Sequence, residues 1–151
     1  MSIRPHAHRL PRARIDPITD GASALRLVRA AVATPSRAET LVVLLDDEHR
    51  GLTIVSVDGT DQPDHVLEVI ECFTRPELVE SGVGAIIVAS VRPSDECARA
   101  DDADRWFELC DTAEQAGVEL LEWFVIGRSV RCPRDLVGVP PRWRGPDVRS
   151  A

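Results

Sequence analysis

The sequence predicts an α/β domain with a mixed central sheet flanked by helices. Three observations lead there. The runs LVVLLDD (41–47), GAIIVASV (84–91) and VELLEWFVIG (118–127) are almost continuously apolar, as strands are when both faces of a sheet are covered. Between them lie stripes at helical spacing. An early strand–turn–strand signal makes the sheet mixed rather than wholly parallel. A chain of 151 residues has the usual size of one domain and is long enough to bury a core without disulfides.

In chain order, residues 1–17 combine Pro5, Pro11, His6, His8 and four arginines without an apolar stripe, and read as a flexible basic arm. The domain is expected over 18–133. Thr19 or Asp20 caps a helix whose Leu25, Val28, Ala31 and Val32 recur at helical spacing, and Pro35 closes that segment. The strand at 41–47 and LTIVSV at 52–57 flank His49-Arg50-Gly51 and form an antiparallel pair. Asp58-Gly59 is a turn, and from Pro63-Asp64 a second helix carries Val66, Val69, Ile70 and Phe73. After the strand at 84–91, broken by Pro93-Ser94, Asp101, Asp102 and Asp104 open a third helix with Trp106, Leu109, Cys110 and Ala113 on its inner face, ended by Gly117. The strand at 118–127 follows, SVRC (129–132) continues or pairs with it, and residues 134–151 form a Pro- and Arg-rich tail. The order is helix, strand, strand, helix, strand, helix, strand, with no internal repeat.

Composition excludes several function classes. All 18 basic residues are arginine, as in chains encoded by GC-rich bacterial genomes. The net charge is −7, yet the first fourteen residues carry four arginines and no acid, and the stretch from Arg128 onward carries six arginines against Asp135 and Asp147. The body between is therefore strongly acidic and repels polyphosphate, so strong nucleic-acid binding is not expected. Three Trp, three Phe and no Tyr leave no aromatic platform for single strands. The cysteines, Cys72, Cys97, Cys110 and Cys132, show no C-x-x-C spacing, and no signal peptide or bilayer-length apolar run occurs. Reduced thiols in a cytoplasmic protein without membrane contact are the expectation.

Four segments, in order, resemble the RadC-like JAB (MPN-type) metallohydrolase family. AGVELLEWFVIG (116–127) is similar to its Ala-Gly, apolar strand, Leu-Leu-Asp-His and Ile-Ile-Gly ending. AIIVASVRPS (85–94) is similar to the strand that enters its His-Asn-His-Pro-Ser metal motif. Ala38-Glu39 resembles its Arg-Glu before the first strand, and Gly59-Thr60 its Gly-Thr turn. The resemblance spans residues 20 to 132 and implies a JAB/MPN-like, cytidine deaminase-like architecture.

It also implies a lost metal centre. The family's site uses a Glu as general base, two His as zinc ligands in His-x-His, a Ser after seven intervening residues and an Asp ligand after two more. Counted without gaps from Pro93, those places hold Ser90, Arg92, Ala100 and Ala103, and Glu39 remains as a relic of the base. Catalytic zinc needs about three imidazole or carboxylate ligands and an open water position. A serine hydroxyl replaces an imidazole poorly, and Arg92 brings a permanent cation to the place of a dication.

The expected function is thus that of a catalytically inactive JAB-like pseudoenzyme, without metal or cofactor, that binds or regulates a protein partner and has the option of homo-oligomers. The alternative is a diverged metal-dependent hydrolase of RadC type linked to DNA repair, with Glu39, Asp104 or Glu122 on a harder cation. Arg92, Asp104 and Trp143 are the candidate binding residues. Arg92 is expected to pair with Glu39 or Asp95, with Asp104 as part of the acidic wall. The bland readings are a solvated Glu39 at a strand edge and helix-terminal acids at 101, 102 and 104. His49 and His65 read as exposed, Trp106 and Trp123 as core, and Trp143, between two arginines, as docking a partner or folding back.

Overall fold

The computed structural model describes residues 10–60, 64–93 and 100–143. In chain order the elements are α1 (Gly21–Ala31), β1 (Glu39–Leu45), β2 (Gly51–Asp58), α2 (His65–Phe73), α3 (Pro76–Glu80), β3 (Ala85–Val91), α4 (Asp102–Gln115), β4 (Glu119–Ile126), β5 (Val130–Arg131) and α5 (Pro133–Leu136). The strands form one mixed sheet in the order β2-β1-β3-β4-β5. β1 is antiparallel to β2 and β3, β3 is parallel to β4, and β5 is antiparallel to β4.

Alternation along the strands sorts the core into two layers. Val42, Leu44, Ile86, Val88, Trp123 and Val125 pack on α2 and α4, where Val69, Ile70, Trp106, Leu109 and Ala113 meet them. Leu41, Val43, Leu45, Ile87, Ala89 and Phe124 pack on α1 through Ala24 and Val28. β1 and β3 are buried along their whole length, which is why their sequences lack a polar alternation. β2, at the edge, is only half-covered.

Local chemistry sets the element ends. Asp20 caps α1 by accepting from Ser23 N at 2.7 Å, which holds its carboxyl below the usual range. α4 ends as a Schellman motif: Gly117, at φ 78°, donates to Glu114 O and Val118 N reaches Ala113 O. At Gly84 a Cβ would lie 2.9 Å from the Asp47 backbone, so only glycine lets the start of β3 pass the end of β1. The short helices α3 and α5 escaped the sequence reading. Each begins with proline at its first turn, and neither is long enough to show a stripe.

Two regions differ from expectation. Residues 10–17, assigned to the flexible arm, lie against the body: Arg14 N donates to Gly51 O at 2.9 Å and Pro17 forms a bridge with Arg50, next to the bond from Ile18 N to His49 O at 2.8 Å. The outer edge of β2 offers backbone groups that need partners, and this segment supplies some of them. His49 is buried, not exposed. It takes φ 63° in a turn where the Asp46 carboxylate accepts from Glu48 N and Arg50 N, both at 2.9 Å. His6, His8, Asp95 and Cys97 lie outside the described residues. No helix among the described residues is long and apolar enough to cross a membrane.

Candidate functional site

The C-terminal end of β3 is where the resembled metal set should gather, and strand parity decides what meets there. Ser90 shares the parity of Val88 and Ile86 and so faces α2 and α4. Its hydroxyl accepts from Trp123 Nε1 at 2.9 Å. Arg92, on the same face and 9% exposed, makes a two-pronged ion pair with Asp102 of α4: Nη1 to Oδ2 and Nη2 to Oδ1, both at 2.8 Å. This fork-on-fork geometry is the strongest form of an arginine–carboxylate contact.

Glu39 does not join them. It opposes Val91 across β1 and β3, with the parity of Leu41 and Val43, so it faces α1. It is 1% exposed, which corrects the reading of a solvated residue at a strand edge. Its Oε1 accepts from Ala33 N at 3.1 Å, just after α1, and Oε2 from Ser56 Oγ at 3.4 Å. Arg37 Nε lies 3.5 Å from Oε2 and 3.2 Å from Asp58. Glu39 therefore ties the α1–β1 connection to the sheet. The partner of Arg92 is Asp102, not Glu39; a sheet lies between the two.

Asp104 is exposed on the first turn of α4 and forms no wall of this cluster. The helix turns it away: Asp102, Trp106, Leu109 and Ala113 repeat on the inner face, with Asp102 buried. That spacing was a signal for Asp102 in the sequence. Trp143 folds back. It is half-buried against the α1 layer, near Gly21, and its indole N–H is buried without a hydrogen-bond partner among the described residues. Arg142 beside it stacks 5.4 Å over Trp106 and donates to Leu120 O at 3.2 Å.

A second buried charge pair was not foreseen. Glu122, 1% exposed, accepts from Arg134 Nε at 2.8 Å and from Trp123 N at 3.2 Å. Arg134 also reaches Asp135 and the carbonyl of Val139. Burial raises the Glu122 carboxyl above its usual range. Cys132, against this pair, is pushed by burial to about 12. Glu122 sits beside a bulge, since Ile86 opposes Leu120 while Ile87 opposes Glu122. The extra residue shifts the alternation, which hides the position from a period-two reading.

Compared with known proteins, the chain matches no family model and no curated protein.

The residues at the resembled metal position do not fit zinc. The Ser90 hydroxyl already accepts from Trp123, both Asp102 oxygens are engaged by Arg92, and Arg92 sets a fixed cation where the resemblance would have a metal ion. The other proposed ligand set is dispersed as well. Glu122 opposes Ile87 and Glu39 opposes Val91, which separates them by two strands across and by roughly 13 Å along the sheet. Asp104 lies on the far face. No group of three His, Cys, Asp or Glu among the described residues can hold a metal ion.

Proposed function

We propose that this chain is a non-catalytic module on a RadC/JAB-like scaffold, one that binds a protein partner rather than hydrolysing a substrate. The observation that carries the reading is the Arg92–Asp102 pair. An arginine and its carboxylate close the end of the sheet where the resembled family opens a zinc site. A five-stranded mixed sheet flanked by helices is the coarse architecture that the resemblance implies, and it supports the reading. Phe107 on α4 and Leu136 on α5 are exposed apolar side chains, on two helices that pack together.

The test uses the variant Ser90→His/Arg92→His in the full chain, which restores His-x-His on the α4 face and frees Asp102 as a third ligand. Native mass spectrometry with added Zn²⁺ is expected to show stoichiometric uptake by the variant and none by the wild type. Wild-type uptake of one zinc would overturn the non-catalytic reading. A folded variant that takes up no zinc would overturn the scaffold reading.

A further inference from the structure

We propose that the ring of Trp106, the carbonyl of Leu120 and the carboxylate of Glu114 form a guanidinium site, in which Arg142 of the C-terminal tail holds the place of an arginine from a basic segment of a protein partner. The inference names a partner class for the binding role proposed above and rests on that role; its test involves no zinc, so either can fail alone.

Three kinds of group that recognise a guanidinium converge here. Arg142 Cζ lies 5.4 Å from the centre of the Trp106 ring, within the range at which the electron-rich face of an indole attracts a cation. Nη1 donates to Leu120 O at 3.2 Å and lies 3.7 Å from Glu114 Oε1. A flat, delocalised cation stacks on a ring and donates from its edge at the same time, whereas an ammonium has no flat face to stack. Trp106 is buried in the α4 layer and Leu120 O belongs to the main chain of β4. Two of the three walls are therefore set by the core and not by the tail.

The present occupant is held by little. As far as Val139 the tail is anchored through Arg134, which reaches Glu122 and Val139 O. Beyond it, Pro140 and Pro141 are exposed and have no N–H to donate. Among the described residues, Pro140 through Trp143 make no backbone hydrogen bond; this stretch is held through the side chains of Arg142 and Trp143. A segment attached in this way opens far more readily than the sheet beneath it. Opening leaves Leu120 O without its donor and the Trp106 ring without its cover, and an arriving arginine restores both.

Charge selects what arrives. Arg142, Glu114 and Asp111 all act on the Cys110 thiol, which places both acids beside the site, and both are exposed. A chain of net charge −7 also draws basic segments toward it. Tethered to the same chain, Arg142 competes with them as an intramolecular ligand.

In the full chain, Arg142→Ala is expected to bind N-acetylarginine amide saturably in the millimolar range, read from the Trp106 indole signal in proton–nitrogen NMR spectra. The wild type should bind this probe about tenfold more weakly, because its own Arg142 competes. N-acetyllysine amide should bind the variant more weakly than the arginine probe does, and Glu114→Gln added to the variant should weaken the arginine probe. Arg142→Gln serves if Arg142→Ala does not fold. A folded variant that fails to bind the arginine probe, binds it no better than the wild type, binds the lysine probe equally well or is indifferent to Glu114→Gln would overturn the proposal.

Discussion

Arg92–Asp102 and Arg134–Glu122 are both buried pairs of one arginine with one acid, yet they differ in what surrounds the acid and in what the pair holds. Asp102 meets its arginine with both oxygens, at the first turn of α4, and joins that helix to the end of β3. Glu122 receives a single Nε contact and a backbone N–H, deep in β4. Its arginine is shared with Asp135 and Val139 O. Burial outweighs the return from Arg134, so the Glu122 carboxyl is raised. The same two residue types thus make a closed joint in one place and a shared clamp in the other. Geometry and competing partners decide which.

The joint should be the costlier to break. Arg92→Ala is expected to destabilise the protein by about 3–5 kcal/mol, because it leaves Asp102 buried without its counter-charge. Asp102→Ala in the same background should return a substantial part of that loss. Urea denaturation of the single and double variants measures both, and an effect of Arg92→Ala within about 0.5 kcal/mol, typical of a surface arginine, would remove the joint from the account.

At the clamp, Glu122→Gln is expected to stay within about 1.5 kcal/mol of the wild type at neutral pH. Its signature is the pH dependence. A raised folded-state value means that the folded protein binds the proton more tightly, so the contribution of Glu122 is full below the unfolded value of about 4.3. It is lost as the pH rises through the folded value. The stability of the wild type relative to Glu122→Gln should therefore fall across that window in a urea series. A gap that is constant or widens with pH would mean that Arg134 outweighs burial.

The strand of chain beyond the clamp gives smaller effects. Arg142→Ala removes the stacking over Trp106 and the bond to Leu120 O, and about 0.5–1 kcal/mol of stability should go with it. The thermal melting point reads this, and an unchanged midpoint would show that the stack contributes nothing. Smaller still is the difference in opening between the two regions. Burial raises the Cys110 thiol to about 11 and Cys132 to about 12, so near pH 8 both should react with iodoacetamide only on local opening, well after the exposed Cys72. Peptide mapping should find Cys132, under the short α5, alkylated before Cys110 on α4. The reverse order would make the clamp the more rigid of the two regions.

Part of this layout was legible in the sequence. The apolar runs at 41–47, 84–91 and 118–127 and the stripes on α1, α2 and α4 express local rules, a strand buried on both faces and a helix buried on one, which leave their period in the residues themselves. The cap at Asp20 and the stop at Gly117 are equally local. The site was less legible. Ser90 and Arg92 do share a face, as two residues two apart on a strand must. The place of Glu39 on the opposite face depends on the register of β1 against β3, a one-residue matter that no pattern within either strand fixes.

By itself the sequence determined the order of the longer elements, the mixed sheet and the unlikeness of the 90–103 segment to a zinc site, because these follow from side-chain type and spacing along one chain. Only the tertiary structure decided that Arg92 closes on Asp102, that Glu39 serves the α1 layer, that Arg134 returns to Glu122 and that β2 ends the sheet. Each of these joins residues from elements whose meeting depends on packing and register rather than on any local propensity. A charge is worth burying only once its partner has been brought to it.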